Sequence, residues 1–194
     1  ENVGVPILLD ADALTLIALH SSSGDAAMAL REIGDTATSV VCTPHPREFE
    51  RLLGAKLSAD WQARADALQD FSSRANVIVV LKGTPTLIAS PSGNALHTIA
   101  RGTALLATGG SGDILTGLIG ALLSQGIPAA SAALLGATVH GLAAEIATHT
   151  AQGIRGLTLD DVLHALPTAW RAMAQPTTFP PGVIAELPAP RTHA

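Results

Sequence analysis

The sequence predicts an α/β protein: an open, largely parallel sheet covered by helices on both faces, a three-layer sandwich. Three observations carry this. Short apolar runs at 5–9, 39–42 and 77–81 alternate with longer amphipathic stretches, the order expected of strands joined by helical crossovers. Val77-Ile78-Val79-Val80-Leu81 is apolar at every position, so both faces of that strand must be covered. The apolar content, 47% of the chain with only 3% aromatic, rests on Ala, Leu, Ile and Val, which together suit helices and strands. A chain of 194 residues accommodates one such domain with a real core.

Val5-Pro6-Ile7-Leu8-Leu9 reads as the first strand, with Pro near its beginning, and Asp12 as the cap of a helix over Ala13 to His20. Ser21-Ser22-Ser23-Gly24 is a loop. Ser39 to Cys42 is a second strand, stopped by Thr43-Pro44-His45-Pro46. Pro46 suits a helix start, so Arg47 to Leu53 is expected helical, with Gly54 as its stop. Asp60 to Arg74 reads as an amphipathic surface helix. After the strand at 77–81, Thr86 to Ala89 and Ala95 to Ile99 flank Pro91-Ser92-Gly93-Asn94, the composition of a hairpin. A glycine-rich loop over Thr108 to Gly112 feeds a helix from Asp113 to Gln125. Further helices are expected over Ala129 to Thr148 and over Thr158 to Leu166, the latter capped by Thr158. Residues 176–194 form a Pro-rich tail beyond the domain at 1–175.

A net charge of −5 offers no general attraction for nucleic acid or an anionic membrane. An anionic ligand therefore needs local devices, such as backbone amides and a few placed cations. No apolar run reads as a membrane span, and the first residues do not resemble a signal peptide. The single cysteine, Cys42, excludes an intrachain disulfide and reads as a small buried hydrophobe. A cytoplasmic setting is the expectation. The chain lacks an initiator Met and enters an apolar strand at once, which reads as a cut.

The strongest motif is Thr108-Gly109-Gly110-Ser111-Gly112-Asp113-Ile114-Leu115-Thr116-Gly117. Its glycines allow successive N–H groups to face one point, and the helix behind adds its positive dipole end there. Together they make an anion hole for a transferring phosphoryl group. Asp113, at the helix start, can accept a proton from a hydroxyl approaching phosphorus. The plainer reading makes Asp113 a cap and the glycines a tight turn. Lys82-Gly83-Thr84-Pro85-Thr86 follows the central strand, offering a compact cation and close backbone approach to phosphate. Alone it is also a simple turn. In Thr43-Pro44-His45-Pro46-Arg47-Glu48 two prolines hold an imidazole at a strand end, and Glu48 suits the first helical turn. Alone, His45 reads as a surface residue. His140, inside the longest helix, reads as a packed core histidine. One Cys and scattered His give no zinc site.

Gly-Gly-Ser-Gly-Asp, Thr-Pro-His-Pro-x-Glu, Lys-Gly-x-x-Thr and Asp10-Ala11-Asp12-Ala13-Leu14 together resemble the signature of the ADP-dependent NAD(P)H-hydrate dehydratases, a ribokinase-like family. The resemblance runs from about Leu8 to Leu166 and implies the C-terminal two-thirds of that domain, with the first βα units missing. It implies a lyase that repairs hydrated NADH or NADPH. ADP (or ATP), with Mg2+, would phosphorylate the ring hydroxyl, and loss of phosphate would restore the double bond. It assigns Asp113 as base and substrate contact, and His45 as a contact to the hydrated nucleotide. Nucleotide contacts fall to Lys82, Gly83, Thr84, Pro85, Thr86, Gly110, Ser111 and Gly112. No metal ligand is assigned, although Asp10 is placed to contact water around magnesium. Homo-oligomers, tetramers among them, are implied. Two alternatives stay open: a small-molecule kinase of thiazole or pyrimidine alcohols, and a nucleotide-binding module without catalysis.

Overall fold

The computed structural model describes residues 4–21, 25–92 and 96–175. Five strands lie in sequence order: β1 (Pro6–Leu9), β2 (Ser39–Cys42), β3 (Ile78–Leu81), β4 (Thr86–Ala89) and β5 (His97–Ile99). The first three pair in parallel, while β3–β4 and β4–β5 are antiparallel. The α/β class is as expected, but the parallel character is confined to β1–β3. The expected hairpin supplies the antiparallel edge, and residues 93–95 of its turn lie outside the described set, as do 22–24 of the first loop and the tail.

Alternate strand residues feed two cores, as a pleat requires. Val40, Cys42, Val79, Leu81, Leu87 and Ala89 join one cluster with α1 (Asp12–His20), α2 (Ala26–Gly34), α3 (Pro46–Leu53) and α4 (Trp61–Ala75). Val41, Ile78, Val80 and Ile88 face α5 (Ser111–Ser124) and α6 (Ala129–Thr150). Phe49 and Phe71 meet edge to face within the first cluster, ring centres 5.2 Å apart, a geometry that adds about 0.5–1.5 kcal/mol beyond burial. α7 (Leu159–Ala174) packs on α6 through Val162, Ala165 and Ala169.

Several expectations change. α2 lies where the sequence reading placed no element; Asp25 caps it, accepting from the Ala27 N–H at 2.9 Å. Asp12 is not a cap but the first residue of α1, which begins behind Ala11 with no side-chain cap bond. α7 runs through Pro167 to Ala174. Proline removes the bond to residue 163, and both Pro167 and Leu163 are exposed, so the freed carbonyl is open to solvent. Finally, α6 is long and apolar enough to cross a membrane by length and composition alone. Its apolarity is accounted for by its place between α5, the sheet and α7, where residues such as Ala132, Val139 and Ala143 are fully buried. Cys42 is fully buried, as expected; burial, with the charge of Asp10, pushes its thiol up to about 12.

Candidate functional site

The carboxyl ends of β1, β2 and β3 meet the N-terminus of α5, and each contributes one polar group. Lys82 follows β3, and its N–H donates to the Pro44 carbonyl at 2.8 Å, drawing the Lys82 and His45 segments together. Its ammonium donates to Asp10 Oδ1 at 2.8 Å and stands 3.9 Å from Glu48 Oε2. The other oxygen of Asp10 accepts from the Thr116 hydroxyl at 2.7 Å. Burial raises the Asp10 carboxyl, yet the bonds from Lys82 and Thr116 and the charge of Lys82 outweigh it and hold it below its ordinary value. Asp10 is thus committed to protein partners. Thr116 sits one turn into α5 and was given no role from sequence, although the motif contains it.

His45 and Glu48 form a capping box at the start of α3. The Glu48 N–H donates to His45 Nδ1 at 3.2 Å and the His45 N–H to Glu48 Oε2 at 2.7 Å. A ring nitrogen that accepts carries no proton, which leaves Nε2, 3.3 Å from Glu48 Oε1, as the ring's donor. The ring remains 44% exposed. His45 therefore caps α3 with both ring nitrogens turned to Glu48, while the ring itself stays part-exposed at the strand end.

The glycine loop sits beside Lys82. Gly110 has φ +95, which side chains rarely adopt, and a Cβ there would lie 3.1 Å from Leu159. A Cβ on Gly112 would stand 3.2 Å from Lys82 Nζ. The Ser111 N–H donates to the Thr108 carbonyl, and the Asp113 N–H to that of Gly110. The Ser111 hydroxyl is spent on the Leu106 carbonyl at 2.6 Å. Among the described residues the N–H groups of Gly110 and Gly112 have no such backbone partner, and α5 has no side-chain cap. These donors, with the helix dipole, form an anion-binding point. The Asp113 side chain is exposed in the first turn and makes no hydrogen bond or ion pair among the described residues. Its Oδ2 lies 3.9 Å from where a Cβ on Gly110 would stand.

A cavity of about 620 Å³ opens against this point. Lys82, Gly83, Thr84, Pro85 and Thr86 form one wall, Ser111 and Gly112 the polar end, and Leu115, Ala137 and His140 the floor. His45, Gly110 and Asp113 are not among its lining residues. The structure therefore gathers seven of the expected nucleotide contacts around one cavity, and leaves the expected base and substrate contact beside it. The facing wall, Ile99 to Ala107, was not singled out in the sequence; only a fold brings it here. Burial alone holds the His140 imidazole down to about 4, so the ring is neutral, with Nε2 lacking a partner. Among the described residues no three His, Cys, Asp or Glu side chains converge on a metal position.

Comparison with known proteins accords with this geometry. A family model described as NAD(P)H-hydrate dehydratase matches residues 1–168. The ADP-dependent (S)-NAD(P)H-hydrate dehydratase of Neisseria meningitidis is 36% identical over 165 residues, covering 85% of this chain and 53% of that protein. The bifunctional NAD(P)H-hydrate repair enzyme Nnr of Vibrio cholerae is 40% identical over 163 residues, covering 84% of this chain and 30% of its own length. Among solved structures, an ADP/ATP-dependent NAD(P)H-hydrate dehydratase of Bacillus subtilis, crystallised with ATP/Mg2+, superposes with a TM-score of 0.67 at 28% identity, covering 86% of this chain and 55% of that one. The chain spans about half the length of such relatives, and less of the bifunctional ones.

Proposed function

The chain belongs to the NAD(P)H-hydrate dehydratase family, and from that premise we propose that it restores hydrated NADH or NADPH at the expense of an adenine nucleotide. The observation that carries this reading is the joining of the Lys82–Thr86 turn to the start of α5 around one cavity, with a carboxylate next to it.

Apolar lining from Pro85, Leu115 and Ala137 suits a base and sugar, while the ammonium of Lys82 and the amides of Gly110 and Gly112 suit phosphates. The ring hydroxyl of the hydrated nicotinamide approaches from the side of His45 and Asp113. Asp113 accepts the hydroxyl proton as the oxygen bonds to the terminal phosphorus, and AMP leaves when ADP is the donor. The Gly110 and Gly112 amides stabilise charge on the moving phosphoryl group. Its C–O bond then breaks, phosphate departs with the electron pair, a proton leaves the neighbouring carbon, and the ring double bond returns. His45, whose ring is part-exposed at the strand end, contacts the substrate.

Mg2+, expected with the nucleotide, would neutralise charge on its phosphates. This reading implies a cytoplasmic setting, with assembly of several copies as a further expectation.

Incubating the chain with ADP and NADH hydrate, and following the absorbance of the restored dihydropyridine, tests this. A rise that requires ADP is expected. A stable phosphorylated alcohol, with no dihydropyridine, would instead make the chain a small-molecule kinase. The exposure of Asp113 favours one other outcome, nucleotide binding without turnover, which calorimetry with ADP would reveal.

A further inference from the structure

The wall of the cavity opposite Lys82 is a strap without regular structure until a 3-10 turn at Ala104–Ala107. The strap leaves the sheet after Ile99, the last residue of β5, and from Ala100 to Ala107 every residue lines the cavity except Leu105, which is buried in the core beside α6. A strap of this kind has no ladder to hold it. Its anchorage lies on one face of α6, at Gly141, Glu145 and Thr148, whose spacings of four and three residues stack them along the helix.

Each contact is different. A Cβ on Gly141 would fall 2.6 Å from Arg101 Cβ and 2.7 Å from its carbonyl carbon, so the strap backbone lies directly on the helix. Glu145 takes two donors at once: Arg101 Nη1 on Oε2 at 2.7 Å and the Gly102 N–H on Oε1 at 2.8 Å. The hydroxyls of Thr103 and Thr148 stand 3.1 Å apart. The Glu145–Arg101 pair is open to water and by itself contributes little. The bond to the Gly102 amide fixes the backbone and is charge-assisted.

We propose that Glu145 is a positioning residue for the adenine nucleotide: it holds the strap at a fixed width from the Lys82–Thr86 turn and touches no ligand itself. This rests on the nucleotide reading above. Without Glu145 the strap must be ordered at the moment of binding, and that entropy is subtracted from affinity. Asp113 lies on α5, and the glycine loop is tied to the strap's 3-10 turn by the Ser111 hydroxyl on the Leu106 carbonyl, a bond that does not involve Glu145, so the chemical step keeps its rate once the nucleotide is bound.

The test is calorimetry with ADP on the whole chain and on Glu145→Ala, Glu145→Gln and Thr148→Val, with turnover measured across ADP concentrations. Glu145→Ala is expected to weaken ADP about 10- to 100-fold and raise its KM in step, the scale of a charge-assisted bond. Its kcat at saturating ADP should stay within about twofold, because Asp113 still supplies the base. Glu145→Gln retains an acceptor for the Gly102 amide and should recover most of the loss. Should Glu145→Ala fail to fold, a few-fold weakening in Glu145→Gln and Thr148→Val carries the same information. Wild-type ADP affinity in every folded variant would overturn the role of Glu145 while leaving the nucleotide reading intact. A kcat loss equal to the KM change would overturn it too, as the mark of general distortion. A parent chain that binds no ADP would sink both.

Discussion

Thr116 donates to Asp10 Oδ2 at 2.7 Å across 106 residues, and Lys82 donates to the other oxygen of the same carboxylate. One side chain at the tip of β1 thus fixes both the helix behind the glycine loop and the cation beside it. Both partners of the ion pair are mostly buried, with side-chain exposures of 22% for Lys82 and 11% for Asp10. Asp10→Asn keeps the shape and an acceptor for Thr116 but strands the ammonium. It is expected to cost about 1–3 kcal/mol in urea unfolding, with Glu48 limiting the loss. Unchanged stability would show that the pair is not holding the site together.

Acid should weaken the fold in two stages. The His140 imidazole titrates near 4 in the folded chain, held there by burial, against 6.5 unfolded. Between those values the unfolded chain binds a proton that the native one refuses, so stability falls as pH drops through the window, by up to about 3 kcal/mol. Asp10, held below 3.8, adds a further loss as pH falls past its unfolded value. In His140→Leu the slope of unfolding free energy between pH 6.5 and 4.5 should be visibly flatter. An identical slope would remove His140 from the account.

The Asp113 carboxylate makes no hydrogen bond or ion pair among the described residues, so Asp113→Asn should stay within about 0.5 kcal/mol of the parent in stability. ADP binding should persist while turnover falls about 100-fold or more, the scale for a lost general base. Near-normal turnover would deny Asp113 that role.

Two glycines of the loop should separate strain from space. Gly110→Ala must force a side chain into φ +95 against Leu159, an expected loss of about 1–3 kcal/mol. Gly112→Ala brings a Cβ to 3.2 Å from the Lys82 ammonium and 3.9 Å from Asp10 Oδ2 without backbone strain, so the ion pair must shift by a few tenths of an ångström and the loss should stay below about 1 kcal/mol. Its methyl group enters the anion-binding point, and ADP affinity should drop about tenfold, the effect of roughly one lost or displaced hydrogen bond. Equal melting points for the two variants, or unchanged ADP binding in the second, would contradict this division.

What the sequence made legible was governed by local chemistry. The unbroken apolar run of β3 announced a doubly covered strand, and Pro46 and Gly54 bracketed α3 as observed. The missed helix α2 had a readable start in Asp25 before Ala26-Ala27-Met28-Ala29-Leu30. The expected end of α7 at Leu166 falls just before Pro167, whose exposure, which lets the helix run on, is a tertiary fact. At the site, motifs named most of the groups around the cavity's polar end but not their mutual contacts. Nothing near Arg101 points to Glu145, 44 residues later, because that pairing exists only when the strap crosses α6.

Cys42, the chain's one thiol, sits wholly inside the sheet and stays protonated at neutral pH. Alkylating reagents attack thiolates they can reach, so modification waits for an opening of the strands around β2. The rate at which label accumulates is therefore a clock on how often the central sheet breathes, built into the native chain without any engineered probe.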